Sequence, residues 1–378
     1  MLNQDTQYLK RVLELARKGI GLVSPNPMVG AVLVKDNKII GEGFHQYQWR
    51  DHAEIVALKS TGQTAANAAG ATLYVNLEPC CITGRTGPCT EALVRAKISR
   101  VVAPMADPNP AVAGRGFAQL RAAGVAVETG ACEAEAKRLN EAFACWIKYR
   151  RPLVTLKSAM TLNGQLAHNR SHRSANGERA WITSEESRAE VHRMRHASDA
   201  LLTGIGTVLA DDPLLTDRSG LLRRRKLLRV ILDSRLRIPL KCKVIKTADD
   251  DLLVVTTQPV TGSRARALQK AGVEVINVRT RGGRPDFKRV LDELGRRDIL
   301  SVLLEAGSEL NGAALSAGLV DRMLLFYAPQ LAGNAQAPFA RFSRRKPVTL
   351  PTLQNLTVQR FGPDVAVGGT LRDVYGNH

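Results

Sequence analysis

The chain has 378 residues, 44% of them hydrophobic, which is enough for two cores and too long for one ordinary core. Its formal charge is +19 and its pI about 10.1, with most of the excess after residue 150. No apolar run is long enough to span a bilayer, and the opening MLNQDTQYLKRVLELARKG carries charges throughout, which argues against a membrane helix and a signal peptide. The expected compartment is the cytoplasm, where thiols stay reduced.

Apolar Leu9, Val12, Leu13 and Ala16 recur at helical spacing, predicting a helix over 5–18 with Gly19 as its stop. Residues 28–44, MVGAVLVKDNKIIGEGF, read as two strands about a turn at Asp36–Asn37. A helix is expected over 52–60, a strand over 71–78, a helix over 88–98 and a strand over 99–107. A helix over 114–124 stops at Gly124, the strand VAVETG follows, and one last helix covers Glu133–Tyr149. Helices alternating with apolar strands indicate a layered α/β domain. The boundary is placed near Arg150–Pro152, giving domains over 1–150 and 151–378. Beyond it, strands are expected in PLVTLKSAMTLNG, DALLTGIGTV, RVILDS, DLLVVTT, EVINV, SVLLEAG and MLLFYAP. Helices are expected over 184–197, 262–271, 287–296 and 308–318, making a second α/β domain. The polar stretch NRSHRSANGER (169–179) reads as a mobile loop.

Three of the six cysteines fall within NLEPCCITGRTGPC (76–89). In a reducing compartment such a cluster favours metal binding or catalysis over disulfides. HAE (52–54) and the pair Cys80 and Cys89 supply one imidazole and two thiols. Borderline-soft zinc accepts that donor set with one position left open. Glu54 would then be no ligand but a proton shuttle between water and a leaving amine, as in zinc deaminases. Both pieces are expected at helix starts that follow strands. Pro79 before Cys80 suits a helix opening, where partial positive charge favours a thiolate. The other reading is a structural histidine beside two buried cysteines. Residues 81–88 separate the two cysteines, a longer gap than the two residues of the usual deaminase signature. That loop holds TGRTG, whose cation and glycines could meet a phosphate.

In the second half no G-x-G-x-x-G follows an early strand. TGIGT (203–207) and EAGSELNG (305–312) are glycine turns after strands, and a helix after Gly307 would aim its positive end at a diphosphate. Tight turns alone are an equal reading. The densest basic run, LLRRRKLLRVILDSRLRIPLKCKVIK (221–246), contains no aromatic residue and so lacks a base-stacking platform. It reads as a solvated face or, less readily, a polyanion-binding patch.

Taken in order, SPNPMVGAVLV (24–34), HAE (52–54), LEPC…GRTGPC (77–89), DPNPAVAGRG (107–116), PLVTLKSAMTLNG (152–164), WITSEESR (181–188), GTVLADDPLLT (206–216), RVILDS (229–234) and LLEAGSELNGAAL (303–315) resemble the bifunctional riboflavin-biosynthesis deaminase/reductase family over nearly the whole chain. The resemblance implies a cytidine-deaminase-like three-layer domain followed by a dihydrofolate-reductase-like domain. The implied first reaction is hydrolytic loss of the 2-amino group from 2,5-diamino-6-ribosylamino-4(3H)-pyrimidinone 5′-phosphate. His52, Cys80 and Cys89 match the zinc ligands and Glu54 the proton shuttle. Asn26, His45, Asp107 and Asn109 fall on substrate-pocket segments, and Arg85 on a basic position in the cysteine loop suited to phosphate. Turn chemistry beside proline is the other reading of Asn26, Asp107 and Asn109.

The implied second reaction is NADPH reduction of the ribosyl chain to ribityl. Ala159, Trp181, Thr207, Asp211, Ser234 and the turn Gly307, Ser308, Glu309, Leu310, Asn311, Gly312 and Ala313 match the cofactor side. Arg195, Leu215, Arg218 and Glu305 match the substrate side, with Arg195 and Arg218 suited to a phosphate and Lys157 a polar partner near the reacting carbon. Trp181 as core, the two arginines as surface cations and Asp211 as a turn residue are the ordinary readings. The resemblance also implies a homodimer through the reductase half, with neither nucleic acid nor membrane as partner.

The chain departs from the family pattern in its residues at four places, and the loop before GERAW (177–181) is longer than the family's. Cys81–Ile82 stands for Ser-His, QYQWRD (46–51) for a glycine-containing stretch, Asn163 for an aspartate, and Arg179 for a substrate-side serine. The competing function is a basic zinc deaminase acting on RNA with a C-terminal RNA-binding module, which a steep salt dependence of RNA binding would reveal.

Overall fold

The computed structural model describes residues 4–62, 65–166, 181–333, 337–342 and 351–376. The expected loop at 169–179, with Arg179, lies outside these residues. Two compact units form: Met1–Arg150 with Leu222–Arg224 and Tyr375–His378, and Arg151–Leu221 with Arg225–Val374.

In the first unit, α1 (Gln4–Arg17) precedes the hairpin β1 (Gly30–Lys35) and β2 (Lys38–Phe44), with Asp36 and Asn37 both at positive φ in its turn. Then come α2 (Ala53–Ser60), β3 (Thr72–Val75), α3 (Cys89–Arg95), β4 (Arg100–Ala103), α4 (Arg115–Ala122), β5 (Ala126–Thr129), α5 (Glu133–Leu139) and α6 (Glu141–Tyr149). The sheet order is β2-β1-β3-β4-β5, antiparallel across β2, β1 and β3 and parallel from β3 to β5.

Alternation along the strands divides the core. Ala31, Leu33, Leu73 and Val101 pack with residues of α2, α3 and α4; Val32, Val34, Tyr74 and Val102 pack with Leu9, Val12 and Leu15 of α1. The result is a helix–sheet–helix sandwich. Register then decides where loops meet. Phe44 lies opposite Gly30, and Val75 opposite Ala31, so the loops entering β1 and leaving β2, β3 and β4 share one rim. α2 sits so close to β2 that a Cβ on Gly43 would meet the Ala53 carbonyl at 2.6 Å.

Two sequence expectations change here. The single helix over Glu133–Tyr149 is broken at Asn140, whose φ is −104°. Its amide accepts from Met28 N–H (2.8 Å) and donates to Met28 O (3.0 Å), a tertiary demand that outweighs helix continuity. Cys80 does not open a helix; the helix opens at Pro88–Cys89.

The second unit runs β6 (Leu153–Thr161), β7 (Gln165–Leu166), α7 (Glu185–Ala197), β8 (Ala200–Gly204), α8 (Ile205–Asp211), β9 (Leu228–Leu232), α9 (Lys243–Lys246), β10 (Leu252–Thr256), α10 (Ser263–Lys270), β11 (Glu274–Asn277), β12 (Thr280–Arg281), β13 (Arg284–Pro285), α11 (Phe287–Arg296), β14 (Ser301–Leu304), α12 (Ser308–Ser316), β15 (Arg322–Ala328), β16 (Ala337–Pro338), β17 (Gln354–Phe361) and β18 (Asp364–Thr370). Nine strands form one sheet in the order β11-β10-β9-β8-β14-β6-β15-β18-β17. Every pair from β11 to β15 is parallel, which explains fully buried apolar runs such as Leu252–Thr256. The stretch DALLTGIGTV is a strand only to Gly204; glycine there ends β8 and α8 begins.

Candidate active sites

The shared rim of the first unit gathers the chemistry. His52 is the N-cap residue of α2, Cys89 opens α3, and Cys80 lies in the turn after β3. His52 Nδ1 is 3.3 Å from both Cys80 Sγ and Cys89 Sγ, and the three ligand atoms lie within 4.8 Å of one another. One imidazole and two thiols at that spacing fit a tetrahedral zinc site with an open position. Burial and proximity set the charges. Hydrogen bonding with Cys89, and the neighbouring His52, draw the Cys80 thiol down to about 4. The hydrogen bond with Cys80 and burial drive Cys89 up, so without a cation only one sulfur is readily ionised. His52 is pushed up to about 9, chiefly by Cys80.

Glu54 is 4% exposed, and burial raises its carboxyl. His45 sits edge-on to His52, with ring centroids 5.4 Å apart. Its Nδ1–H donates to Asp51 O (2.8 Å), while its Nε2 accepts from Asn26 Nδ2 (2.9 Å). Burial lowers its pKa, so the neutral ring is favoured. Burial, with Glu78, Cys80 and Glu54 adding negative charge, raises Asp107 to about 7. Turn chemistry is present too: Asp107 Oδ1 accepts from Asn109 N–H (2.8 Å) and Asn109 Oδ1 from Ala111 N–H (3.1 Å). Arg85 is exposed in the cysteine loop, its guanidinium 4.2 Å from the ring centroid of Tyr47 within QYQWRD.

Sequence reasoning assigned no role to two buried side chains in NLE. Glu78 accepts from Asp107 N–H (3.0 Å), Gly114 N–H (2.8 Å) and Phe117 N–H (3.0 Å), tying the DPNP loop to α4. Asn76 accepts from Gly30 N–H (2.8 Å) and donates to Met28 O (2.9 Å), fixing the loop that carries Asn26. Buried polar residues inside an apolar strand end were the available signal.

In the second unit the pairing Leu304↔Leu156 sets Glu305 beside Lys157. Lys157 and Ala159 share one face of β6. Arg195 from α7 meets Glu305 in a fork, Nε to Oε1 at 2.7 Å and Nη2 to Oε2 at 2.9 Å, and its Nη1 donates to Thr216 O (3.0 Å). Burial pushes Glu305 up, but Arg195 and Lys157 outweigh it and hold the carboxyl at about 2. Burial lowers Lys157, against the attraction of Glu305.

Thr207 and Asp211 lie on α8, Ser234 follows β9, and Gly307–Ala313 follow β14. They leave the carboxyl ends of neighbouring parallel strands, where open α/β sheets bind ligands. Within that turn Asn311 is buried and donates to Phe339 O (2.9 Å), and a Cβ on Gly312 would meet Arg341 O at 2.0 Å. Ser308 donates to Pro338 O. These three face the segment 338–341. Leu215 is buried at φ 59°, and Trp181 is 57% exposed. Asn163 occupies a turn, accepting from Thr161 Oγ1 (2.7 Å) and donating to Ala332 O (2.9 Å).

The comparisons divide the chain in the same two chemistries. Residues 2–105 match the cytidine and deoxycytidylate deaminase zinc-binding region, and residues 152–367 the RibD C-terminal domain. The riboflavin biosynthesis protein RibD of Aquifex aeolicus (strain VF5) is 41% identical over 330 residues, covering 87% of this chain and 88% of the relative. The chain belongs to the RibD family. The solved Acinetobacter baumannii RibD (form 1) is 36% identical, with a TM-score of 0.84 over 98% of this chain and 99% of that one. A solved Thermotoga maritima diaminohydroxyphosphoribosylaminopyrimidine deaminase/5-amino-6-(5-phosphoribosylamino)uracil reductase is 34% identical, with a TM-score of 0.81 over 97% and 98%. As a RibD family member the chain is a bifunctional riboflavin-biosynthesis enzyme acting on phosphorylated pyrimidines, with a zinc-dependent deaminase domain and an NADPH-using reductase domain. The RNA-acting alternative is not favoured. Among the described residues no helix is long and apolar enough to cross a membrane.

Proposed function

We propose that residues 1–150 deaminate 2,5-diamino-6-ribosylamino-4(3H)-pyrimidinone 5′-phosphate and that residues 151–378 then reduce the ribosyl chain to ribityl. The convergence of His52, Cys80 and Cys89 beside a buried Glu54 carries the first assignment. His52, Cys80 and Cys89 would hold zinc, which supplies Lewis acidity that makes water nucleophilic near neutral pH. Glu54, with its carboxyl raised by burial, takes the proton of the attacking water and returns it to the amine that leaves as ammonia. Asn26 and neutral His45 orient the pyrimidine, Asp107 and Asn109 line the opposite loop, and Arg85 meets the phosphate.

In the reductase domain, NADPH supplies the hydride. Ala159, Trp181, Thr207, Asp211, Ser234 and the Gly307–Ala313 turn flank the cofactor. Glu305 accepts from ribosyl hydroxyls, and Lys157 holds the oxygen end of the reacting carbon. Leu215 and Arg218 line the substrate side, while Arg195 fixes Glu305.

We place the enzyme in the cytoplasm as a homodimer through the reductase domain, with no nucleic acid as partner. β17 supports a second copy: it is the outermost strand and exposes Leu356 (63%) and Val358 (70%). The basic run has no aromatic residue for base stacking, which supports the absence of a polymer. Arg225 donates to Asp298 O, Lys226 pairs with Asp249, and fully buried Arg229 pairs with Asp251. Of these, Arg229 is used inside the fold.

One assay tests the reading. The diaminopyrimidine phosphate is supplied with NADPH, and ammonia release and nicotinamide absorbance are followed separately. Both signals should appear, with ammonia first. NADPH oxidation without ammonia release would overturn the order of steps.

A further inference from the structure

A pocket of about 660 Å³ opens along one face of α7, where Glu185, Arg188 and His192 recur at helical spacing and Trp181 and Arg218 complete the lining. Its charge is lopsided. Among the described residues, Glu185 is the one carboxylate on the lining, against Arg188, Arg218 and Arg193. Arg193 is answered by Glu190 at 2.7 Å. Among the described residues, neither Arg188 nor Arg218 is paired with a carboxylate. Arg188 donates to Thr183 O (2.8 Å), and its guanidinium lies 5.3 Å from the Trp181 ring centroid.

His192 supplies the second observation. Its Nδ1 accepts the Arg218 backbone N–H at 3.2 Å, which places the hydrogen of the neutral ring on Nε2. Burial comes first in lowering its pKa, followed by Arg195 and Arg218, against Asp217 and Glu305. The ring is thus a neutral donor braced against the Arg218 loop, within the field of the Arg195–Glu305 pair. Arg195 itself has three of its five N–H groups engaged by Glu305 and Thr216, which leaves a phosphate in need of further donors.

We infer that Arg188 and His192 are specificity-determining residues of the reductase domain: with Arg218 they seat the phosphomonoester of its sugar-phosphate substrate, His192 through Nε2–H. A dianion there would face two guanidinium groups and one neutral N–H, a donor set suited to its oxygens. The inference rests on the reductase reading above.

The test uses the full chain, with NADPH oxidation measured on the deaminated substrate and on its dephosphorylated counterpart. Arg188→Met and His192→Asn should each raise KM for the phosphorylated substrate about tenfold or more, the loss expected for one hydrogen bond to a charged group. KM for NADPH, ammonia release and turnover of the dephosphorylated compound should stay as in the wild type. The shorter carboxamide of the His192→Asn variant can still accept from Arg218 N–H but has nothing at the Nε2 position. Wild-type KM in His192→Asn would reduce His192 to a loop brace and overturn its part. A rise in NADPH KM instead would give the pocket to the cofactor and overturn the whole. Arg188→Lys, which keeps the charge, should fall between wild type and Arg188→Met. If the wild-type chain oxidises no NADPH, the reductase reading fails, and phosphorus NMR titration with inorganic phosphate decides the seat alone. Binding lost in Arg188→Met sustains the seat; equal binding in both overturns it.

Discussion

Around His52, Cys80 and Cys89, soft donors crowd into one spot, where Cys80 ionises readily beside a raised imidazole and Cys89 is held protonated. Around Lys157, Arg195 and Glu305, full charges are buried but already answer one another. The donor set of the first arrangement suits a cation from outside; in the second the carboxylate already has its cations. Stability at the deaminase centre should therefore follow metal, and stability at the reductase cluster should follow pH.

The sharpest break between the two is Glu54→Gln. Ammonia release should fall about a thousandfold or more, the upper part of the range for losing a proton shuttle. Zinc content by metal analysis and NADPH oxidation with the deaminated substrate should be unchanged. A joint loss of both activities would mean that the centres are not separable.

Next comes acid stability. Glu305 has a folded pKa of about 2 against 4.5 when unpaired. A depressed carboxyl stabilises the fold fully above 4.5, and that contribution is lost as pH falls toward 2. It amounts to on the order of 3 kcal/mol. Urea unfolding at pH 7 and pH 3 should show a steeper loss for the wild type than for Glu305→Gln. Parallel losses would deny the pair its role.

Lys157→Met should lower NADPH oxidation about a hundredfold while sparing ammonia release, since only one centre loses its ammonium. The smallest effect is expected from Cys81→Ser with Ile82→His, which restores the family pattern. Cys81 is half-buried and Ile82 exposed, so ammonia release should change by about threefold or less, as expected of a surface position. A larger gain would place that pair in the substrate pocket.

Legibility followed sequence distance. HAE and the Cys80–Cys89 loop could be read because each donor sits at a local chain feature. Glu78 and Asn140 could not: Glu78 caps α4 from 36 to 39 residues away, and Asn140 reaches Met28 across 112. The Asn140 contact broke a helix that periodicity made continuous. The Arg195–Glu305 fork spans 110 residues, so no single stretch of the chain shows that the two side chains meet.

NLEPCCITGRTGPC and HAE by themselves determined the donor types and the deaminase chemistry, and apolar periodicity along the chain determined the α/β alternation, because residue type and period are local properties. Only tertiary structure decided that helix α3 opens at Cys89 rather than at Cys80, that Tyr47 receives Arg85, and that Lys157 meets Glu305. Those outcomes depend on strand register and on which buried charges find partners, and neither is encoded in any single stretch of the chain.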